Sequence, residues 1–167
     1  MRDYYYDKMG VDDCIFIRPD SGAKTFYGNI FPKDELDFEL KTMKGYAGLP
    51  LDEILVIIAS PKIIEKEWRI VIVDRKPISA SQYKVDDKLN EKEGCDVDVW
   101  SLASKIAKDV WQPDRAYTLD ICLSDGRYHL LEANSFSCSG LYDCPVKNIV
   151  TQVSRVALEE WKEYNEV

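Results

Sequence analysis

Histidine is almost absent from this chain, and its cysteines follow no metal-binding spacing. The 167 residues include one histidine, His129, and five cysteines, none in a C-x-x-C pair. A tetrahedral zinc site needs several imidazole or thiolate ligands at close spacing, so we do not expect one. A nucleophilic triad would have to use His129, for which a structural role is the simpler interpretation. The odd number of cysteines favours free thiols in a reducing cytosol.

The sequence also lacks several signatures that would identify a partner or a compartment. Neither the P-loop pattern nor the dinucleotide pattern G-x-G-x-x-G occurs. There is no signal peptide and no apolar run long enough to span a membrane. The net charge is −8 and no basic block is present, which argues against nucleic acid as the main partner. We therefore expect a cytoplasmic protein that binds neither nucleic acid nor membrane.

Apolar and aromatic residues, in contrast, are plentiful. Hydrophobic residues make up 46% of the chain and aromatic residues 11%, which is enough for a real core. A chain of this length forms one domain or two small lobes. The apolar run at residues 53–59 ends at Ser60-Pro61, where proline interrupts strand pairing. We place the boundary between the two lobes there. The predicted lobes are residues 1–60 and residues 61–167.

The remaining periodicity predicts a mixture of strands and helices, and hence an α+β fold. Residues 1–12 are interpreted as a weakly ordered lead-in, and the charged residues 84–95 as a mobile loop. The last helix is expected to bury Ile149, Val153, Val156 and Trp161. Strands are expected at residues 14–17, 24–31, 53–59, 67–74, 76–83 and 117–134, and helices at residues 32–43, 96–110 and 145–164.

Polar side chains gather on the hairpin predicted at residues 117–134. Two apolar, β-rich runs flank a Ser-Asp-Gly turn signal. Asp120 lies on the first strand, while Glu132 and Asn134 share a face of the second because alternate residues of a strand point the same way. Hard oxygen ligands on a rigid hairpin suit Mg²⁺, which completes its shell with water and phosphate oxygens. An ordinary hairpin with exposed acids is the alternative.

The length of the turn decides whether Asp120 joins the other two side chains. A two-residue turn at residues 125–126 would pair Leu119 with Glu132 and place Asp120 on the opposite face. A three-residue loop with Gly126 in the left-handed conformation pairs residues of equal parity, which brings Asp120 and Glu132 to one face. We therefore predict the three-residue loop.

Two cations flank a small turn near the start of the chain. Arg18 precedes and Lys24 follows an Asp-Ser-Gly turn at residues 20–22. Backbone N–H groups of such a turn bind an anion while the cations neutralise it. Solvated basic residues beside an ordinary turn are the alternative. Cations early in the chain and hard-metal ligands late in it fit nucleoside triphosphate chemistry, in which catalysis is mostly positioning and charge neutralisation.

These stretches together resemble the ATP-grasp superfamily, most closely a clade of uncharacterised ATP-grasp domains common in phages and bacteria. The resemblance implies an α+β ATP-grasp fold, in which two lobes of mostly antiparallel sheet with packed helices grip ATP. It spans about residues 14–143 and is carried by the order and spacing of residues 16–28, residues 59–61, Glu67-Trp-Arg-Ile70, residues 81–83, Tyr117-Thr-Leu-Asp120 and Leu131-Glu-Ala-Asn134.

The resemblance assigns metal and ribose contacts to the C-terminal lobe. The family's metal-binding Asp, Glu and Asn fall on Asp120, Glu132 and Asn134. The acid that contacts the ribose hydroxyls falls on Glu67. The implied cofactors are therefore ATP and Mg²⁺, and Asp120 is counted among the cofactor-binding residues as well as the metal ligands.

The N-terminal lobe is expected to contact the rest of the nucleotide. By the resemblance, adenine lies near Ala59, Ser60 and Lys62, where it is recognised largely by backbone groups. The turn between Arg18 and Lys24 corresponds to the glycine-rich loop that closes over the phosphates.

The chain departs from the family pattern at two positions and in length. Arg18 stands where most ATP-grasp enzymes have a lysine, and it suits bidentate phosphate contact. Thr118 replaces an arginine, so that role must pass to Arg69, Arg115 or Lys24, or be absent. In the family, a further domain usually precedes the ATP-grasp domain, and we expect it to come from a partner chain or from a second copy in a homodimer.

The implied function is ATP- and Mg²⁺-dependent ligation of a carboxylate to an amine through an acyl phosphate. The expected substrate is a small molecule such as an amino acid, or a peptide, and the expected catalytic cations are Arg18, Lys24 and Arg69. One alternative is a nucleotide-binding module without ligase activity, which acts as a regulatory or assembly subunit. Another is a phosphotransferase that stops after transfer of the phosphate.

Overall fold

The computed structural model describes residues 2–20, 25–47, 53–109 and 111–166. It divides into two compact units, unit 1 (Met1–Lys62) and unit 2 (Ile63–Val167). Both combine an antiparallel sheet with helices, as the predicted α+β class requires. Within the described ranges, no helix has the length and apolar character needed to cross a membrane.

Unit 1 is a three-stranded antiparallel sheet with two helices. The strands lie in the order β2-β1-β3. The core of the unit is small, with five buried side chains: Tyr6, Ile15, Ile17, Phe31 and Leu36. In chain order the elements are α1 (Arg2–Met9), β1 (Cys14–Pro19), β2 (Asn29–Pro32), α2 (Leu36–Ala47) and β3 (Val56–Ala59).

The weakly ordered lead-in predicted at residues 1–12 is wrong, because α1 forms there. Its Tyr6 packs into the core of unit 1, and the Tyr6 hydroxyl donates a hydrogen bond of 3.0 Å to the Phe31 carbonyl. The sequence pattern missed this helix because Tyr6 is the one buried side chain among its described residues 4–9, so no apolar stripe marks it.

Unit 2 is a five-stranded antiparallel sheet in the order β6-β5-β4-β7-β8. Successive strands of the sequence are neighbours, apart from the step from β6 to β7, which passes through α3. The elements are β4 (Lys66–Val73), β5 (Lys76–Val85), β6 (Lys88–Glu93), α3 (Val97–Ile106), β7 (Ala116–Ser124), β8 (Arg127–Ser135), a 3-10 helix (Phe136–Cys138) and α4 (Val146–Asn165).

The central strand β4 is buried on both faces, and its alternation separates an apolar face from a mixed one. The apolar face packs on α3 in a core of ten side chains: Trp68, Ile70, Ile72, Ala80, Val99, Ala103, Ala107, Tyr117, Leu119 and Ile121. On the other face, Val71 and Val73 pack with Cys144, Ile149 and Val156 from the α4 side. Glu67 and Arg69 lie on that second face, where no apolar cluster includes them.

Three hairpins of unit 2 use two-residue turns in which both residues have positive φ. These turns are Asp74-Arg75, Asp86-Asp87 and Asp125-Gly126. Positive φ at both positions is the type I′ geometry, whose twist matches the flanking strands. The second turn leads into β6, so the mobile loop predicted at residues 84–95 is wrong. All six residues of β6 are exposed, and their charges suit an edge strand that must not pair with other chains.

The apolar stripe predicted on α4 holds for three of its four residues. Ile149 and Val156 are buried and Val153 packs against them. Trp161, however, is 64% exposed. The described apolar cluster on this face contains no residue after Val156. The apolar side chains in the last turns of α4 therefore continue the helical spacing but do not join this cluster.

Candidate functional site

The mixed face of the unit 2 sheet brings together polar and charged side chains predicted on three different stretches, which form β4, β7 and β8. Arg69 on β4 pairs in register with Asp120 on β7, and Asp120 pairs with Glu132 on β8. Residues that pair directly across antiparallel strands point to the same face. Glu67 lies two residues before Arg69 on β4, and Asn134 lies two residues after Glu132 on β8. Alternate residues of a strand point to the same face, so both share it. These five side chains are called the polar cluster.

The hairpin reaches the predicted arrangement by a different route from the predicted one. Ser124 pairs with Arg127, so the turn has two residues and the three-residue loop is wrong. A register shift follows, because Ile121 pairs with Leu130 while Asp120 pairs with Glu132. The extra residue forms a β-bulge that restores equal parity. Asp120 and Glu132 therefore share a face in spite of the short turn.

A buried ion pair lies at the centre of the polar cluster. Arg69 Nε donates to Asp120 Oδ1 at 2.8 Å, and Arg69 Nη2 donates to Asp120 Oδ2 at 2.6 Å. Asp120 is 1% exposed and Arg69 is 7% exposed. Burial raises the pKa of the Asp120 carboxyl and Glu132 adds to this, while Arg69 opposes it. Burial alone would lower the pKa of Arg69, but Asp120 outweighs it and raises that pKa.

Glu67 is held by two donors from β5. The Tyr83 hydroxyl donates to Glu67 Oε2 at 2.5 Å, and Lys84 Nζ lies 3.2 Å from Glu67 Oε1. Burial raises the pKa of Tyr83, and Asp120 and Glu67 raise it further, so the hydroxyl stays a donor. The carboxylate of Glu67 is therefore fixed in one orientation.

Two stacked tyrosines lie beside the ion pair. The rings of Tyr83 and Tyr142 are 4.5 Å apart and 6° from parallel. The Arg69 guanidinium lies 5.0 Å from the Tyr142 ring centre and 5.8 Å from that of Tyr83. Tyr142 has a φ of 51°, which L residues rarely adopt. Arg69 Nη1 also donates to the Gly140 carbonyl at 2.8 Å, so one arginine touches both β7 and the segment before α4.

The residues predicted in unit 1 lie on or after its strands. Arg18 is an exposed residue of β1, and its Nη1 donates to the Pro19 carbonyl at 3.1 Å. Ala59 ends β3 and pairs with Phe16, and Ser60 follows it. Lys62 is exposed, and Lys24 lies outside the described residues.

Residues 5–152 match the protein family described as "ATP-grasp domain, R2K clade family 2". The chain belongs to the ATP-grasp superfamily. The match covers most of the chain, and it confirms the resemblance inferred from the sequence. A search of curated proteins gave no match.

Solved structures with the same fold include two ATP-grasp ligases. The ATP-grasp ligase PsnB, complexed with a phosphomimetic variant of its minimal precursor, Mg and ADP, is 18% identical with a TM-score of 0.51 over 80% of this chain. D-alanine–D-alanine ligase from Bacillus anthracis is 21% identical with a TM-score of 0.55 over 81% of this chain. The same ligase complexed with ATP has a TM-score of 0.53 at 21% identity over 92% of this chain.

This ATP-grasp chain spans only part of those neighbours. It covers 39% of the PsnB chain and 47% and 56% of the two chains of the Bacillus anthracis ligase. At these sequence identities the likeness concerns the fold.

The polar cluster of this ATP-grasp chain contains a donor set that fits Mg²⁺. Asp120, Glu132 and Asn134 offer oxygen ligands, and two carboxylates with an amide leave positions for phosphate oxygens and water. In the described part of the chain, no group of three or more His, Cys, Asp or Glu side chains is placed to hold a metal ion, and the set named here has two carboxylates and an amide. The Asn134 Nδ2 atom is buried and has no hydrogen-bond partner among the described residues. An unpaired buried amide is costly, so it indicates a missing ligand.

Thr118 stands where the family has an arginine, and the structure describes two of the three cations expected to replace it, Arg69 and Arg115. Arg115 donates to Asp74 and Glu159, away from the polar cluster. Arg69 is the cation that contacts Asp120. Thr118 itself is fully buried and hydrogen-bonds Ser139 at 2.9 Å.

Sequence analysis missed Tyr142 and Lys84 as members of the site. Tyr142 ends a stretch, residues 135–142, whose other residues are small apart from Phe136 and Leu141, and its large aromatic ring is the signal that could have been used. Lys84 was placed in a loop because its neighbours are charged. Its strand position follows from the Asp86-Asp87 turn, which the pattern of charges concealed.

Proposed function

We propose that this chain binds ATP with Mg²⁺ and acts as a carboxylate–amine ligase through an acyl phosphate, with an amino acid or a peptide as substrate. The observation that carries the proposal is the shared face of Asp120, Glu132 and Asn134, which pairing across β7 and β8 produces in a chain of the ATP-grasp superfamily. The unpaired Asn134 amide supports it, because a phosphate oxygen would accept from its Nδ2 and the metal would bind its Oδ1.

Each proposed contact uses a group that is held in place. Asp120, Glu132 and Asn134 would hold Mg²⁺, which when bound offsets charge on the phosphates. Glu67 would accept hydrogen bonds from the ribose hydroxyls, since Tyr83 and Lys84 fix its carboxylate. Arg69, which forms an ion pair with Asp120, would supply a positive charge next to the metal ligands.

The contacts proposed for unit 1 rest on the sequence. Arg18 and Lys24 would neutralise the phosphates, and Ala59, Ser60 and Lys62 would lie near adenine. The contacts proposed for the Arg18, Lys24 and Lys62 side chains are testable by single substitutions in the binding assay described next. The neighbouring ligase PsnB is complexed with a variant of its minimal precursor, and the choice of an amino acid or a peptide as substrate rests on the sequence resemblance.

The nucleotide site is tested by thermal melting. ATP with Mg²⁺ at 100 times its dissociation constant should stabilise the chain by roughly 2.7 kcal/mol. Glu132→Gln should lose the Mg²⁺-dependent part of this stabilisation. Glu163→Gln, an exposed change of the same kind on α4, is the matched control and should behave like the wild type. Unchanged Mg²⁺ dependence in Glu132→Gln would remove Glu132 from the metal site.

A second candidate function is an ATP-binding module without turnover. It is favoured by the Arg69–Asp120 pair, in which each oxygen of a proposed metal ligand already accepts a hydrogen bond. ADP release that requires both a carboxylate and an amine supports the ligase. Binding without turnover supports the module, and a stable phosphorylated product formed without amine supports a phosphotransferase.

A further inference from the structure

Arg69 joins a proposed metal ligand to the chain segment that precedes α4. Its Nε and Nη2 atoms bind the two oxygens of Asp120, and its Nη1 atom binds the Gly140 carbonyl. A guanidinium is planar and holds its donors in a fixed fork. Movement of Asp120 is therefore transmitted to Gly140 through a rigid group rather than through a flexible side chain.

The segment that receives this contact, residues 139–143, is fastened to the sheet at several further points. Ser139 hydrogen-bonds Thr118 at 2.9 Å. The Asp143 backbone N–H donates to Ser81 Oγ at 3.2 Å. The Tyr142 ring stacks on Tyr83, whose hydroxyl holds Glu67. The segment therefore contacts both the proposed metal side and the proposed ribose side of the polar cluster.

Tyr142 maintains a backbone conformation that must be stabilised by its surroundings. Its φ is 51°, in the left-handed region that is unfavourable for a non-glycine residue. The Tyr83 ring and the Arg69 guanidinium are the groups in contact with its ring. Strained residues of this kind collect at ligand clamps, because the strain is retained only where the neighbours impose it.

The Arg69 contact also leaves Asp120 able to bind a metal. An ionised carboxylate offers about four lone-pair positions, of which Arg69 uses two. The contact fixes the plane of the carboxylate and hence the direction of the remaining lone pairs. Groups that orient a ligating carboxylate in this way typically contribute 10–100-fold to metal affinity.

We propose that Arg69 is a positioning residue that couples Mg²⁺ binding at Asp120 to the ordering of residues 139–143 against the unit 2 sheet. The inference rests on the proposed Mg²⁺·ATP site and adds a regulatory link to it. In one direction, Arg69 orients Asp120 for the metal. In the other, metal binding restrains Arg69 and, through Gly140 and Tyr142, the segment.

The first test replaces Arg69 with lysine, which keeps the charge but not the three-point fork. The dissociation constant of ATP is measured by calorimetry in the presence of Mg²⁺ and in the presence of EDTA. The value with EDTA divided by the value with Mg²⁺ is called the metal contribution. Arg69→Lys should lower this ratio about 10–100-fold. Amide hydrogen exchange of residues 139–144 should slow when Mg²⁺·ATP is added to the wild type, and much less in the variant.

Arg115→Lys is the matched control. Arg115 also contacts both oxygens of a carboxylate, that of Asp74 at 2.8 and 3.2 Å, in a more exposed position outside the polar cluster. The Arg115→Lys variant should change neither the metal contribution nor the amide hydrogen exchange of residues 139–144. A similar loss in Arg115→Lys would assign the Arg69→Lys effect to general destabilisation and overturn the inference.

A second variant approaches the link from the other end and spares the buried pair. Tyr142→Gly removes the ring and relieves the strained φ. Coupling between two sites is reciprocal, so loosening the segment must weaken Mg²⁺-dependent ATP affinity. An unchanged metal contribution in Tyr142→Gly overturns the inference even where Arg69→Lys fails to fold.

The outcomes separate the inference from the proposed function. A wild type that shows no Mg²⁺-dependent ATP binding rejects the proposed function, and the inference with it. A wild type that binds, with Arg69→Lys unchanged in both measurements, rejects the inference alone. Tighter metal binding in Arg69→Lys would mean that Arg69 competes with the metal, which also overturns positioning.

Discussion

Two charged residues of β4, Glu67 and Arg69, are buried at the centre of a sheet. Each is 7% exposed, and each has charged or hydroxyl partners: Asp120 for Arg69, and Tyr83 and Lys84 for Glu67. A buried charge without partners would cost several kcal/mol, so these contacts are conditions for folding as well as features of the site. Removal of one partner should therefore be visible in stability.

The Tyr83 hydroxyl provides a test of this at a single atom. Tyr83→Phe removes the donor to Glu67 and keeps the ring that stacks on Tyr142. We expect a loss of about 1.5–3 kcal/mol in unfolding free energy, the usual range for a hydrogen bond to a charged group. Urea denaturation measures it.

Tyr128→Phe is the control for the loss of a phenolic hydroxyl. The Tyr128 hydroxyl donates to Asp96 at 3.3 Å in an exposed position, so its removal should change the unfolding free energy by less than about 0.5 kcal/mol. If both variants lose the same amount, the Tyr83–Glu67 bond contributes nothing beyond a generic hydroxyl.

At the scale of elements, the β7–β8 hairpin depends on its short turn. Gly126 has a φ of 67° with open space around its Cα, so a side chain meets no atoms but must adopt a left-handed conformation. Gly126→Ala should destabilise the chain by about 1–2 kcal/mol. Gly140→Ala is the control, because its Cβ would lie 4.0 Å from the nearest atom and its φ is not positive. Thermal melting that ranks the two variants equally would contradict the expectation.

A network of ion pairs connects the β4–β5 turn, the start of β7 and α4. Asp74 binds Arg115 at 2.8 Å and Arg155 at 2.6 Å, and both arginines also bind Glu159. The two arginines lower the pKa of Asp74 from 3.8 to about 2. A carboxyl with a depressed folded pKa stabilises the fold above its unfolded pKa and loses that contribution as the pH falls.

The Asp74 network therefore predicts a stability loss between about pH 4 and pH 2. Asp74→Asn should lose about 1 kcal/mol at pH 7, where the pairs are formed, and should show a flatter decline over that acid range. Asn tolerates the positive φ of this position, so the change removes charge without new strain.

Asp125→Asn is the control for the Asp74 variant. Asp125 has a φ of 51° in the same kind of turn and forms no ion pair within the described ranges. Its melting temperature as a function of pH should follow the wild type. An unaltered acid profile in Asp74→Asn would show that the network does not contribute to stability.

On the scale of the whole molecule, the two units differ in the size of their cores. Among the residues that the structure describes, unit 1 has one cluster of five buried side chains, whereas unit 2 has one of ten and another of five on opposite faces of its sheet. A unit of about 100 residues buries enough apolar surface to fold alone. Unit 2 should therefore be the more stable of the two.

The fragment 63–167 provides the test. We expect it to unfold cooperatively on heating and to retain the near-ultraviolet circular dichroism of the buried Trp68. The fragment 1–62, with its smaller core, is the comparison and should melt at a lower temperature or not cooperatively. A non-cooperative 63–167 fragment would show that its two clusters need unit 1.

The sequence by itself determined the chemistry of the polar cluster and the face of β4 on which it lies. Alternation on a strand is local backbone geometry, so the separation of Glu67 and Arg69 from Trp68 and Ile70 needs no tertiary information. The oxygen ligands of Asp120, Glu132 and Asn134 and the membership of the ATP-grasp superfamily were equally available from the letters.

The tertiary structure alone decided how those groups meet. The turn has two residues, and only the bulge beyond it returns Glu132 to the face of Asp120, because the packing of both strands determines where a register shifts. The Arg69–Asp120 pair joins residues 51 apart, and the Tyr83–Tyr142 stack likewise joins distant stretches. Contacts at such separations depend on strand order and burial, which no local pattern specifies.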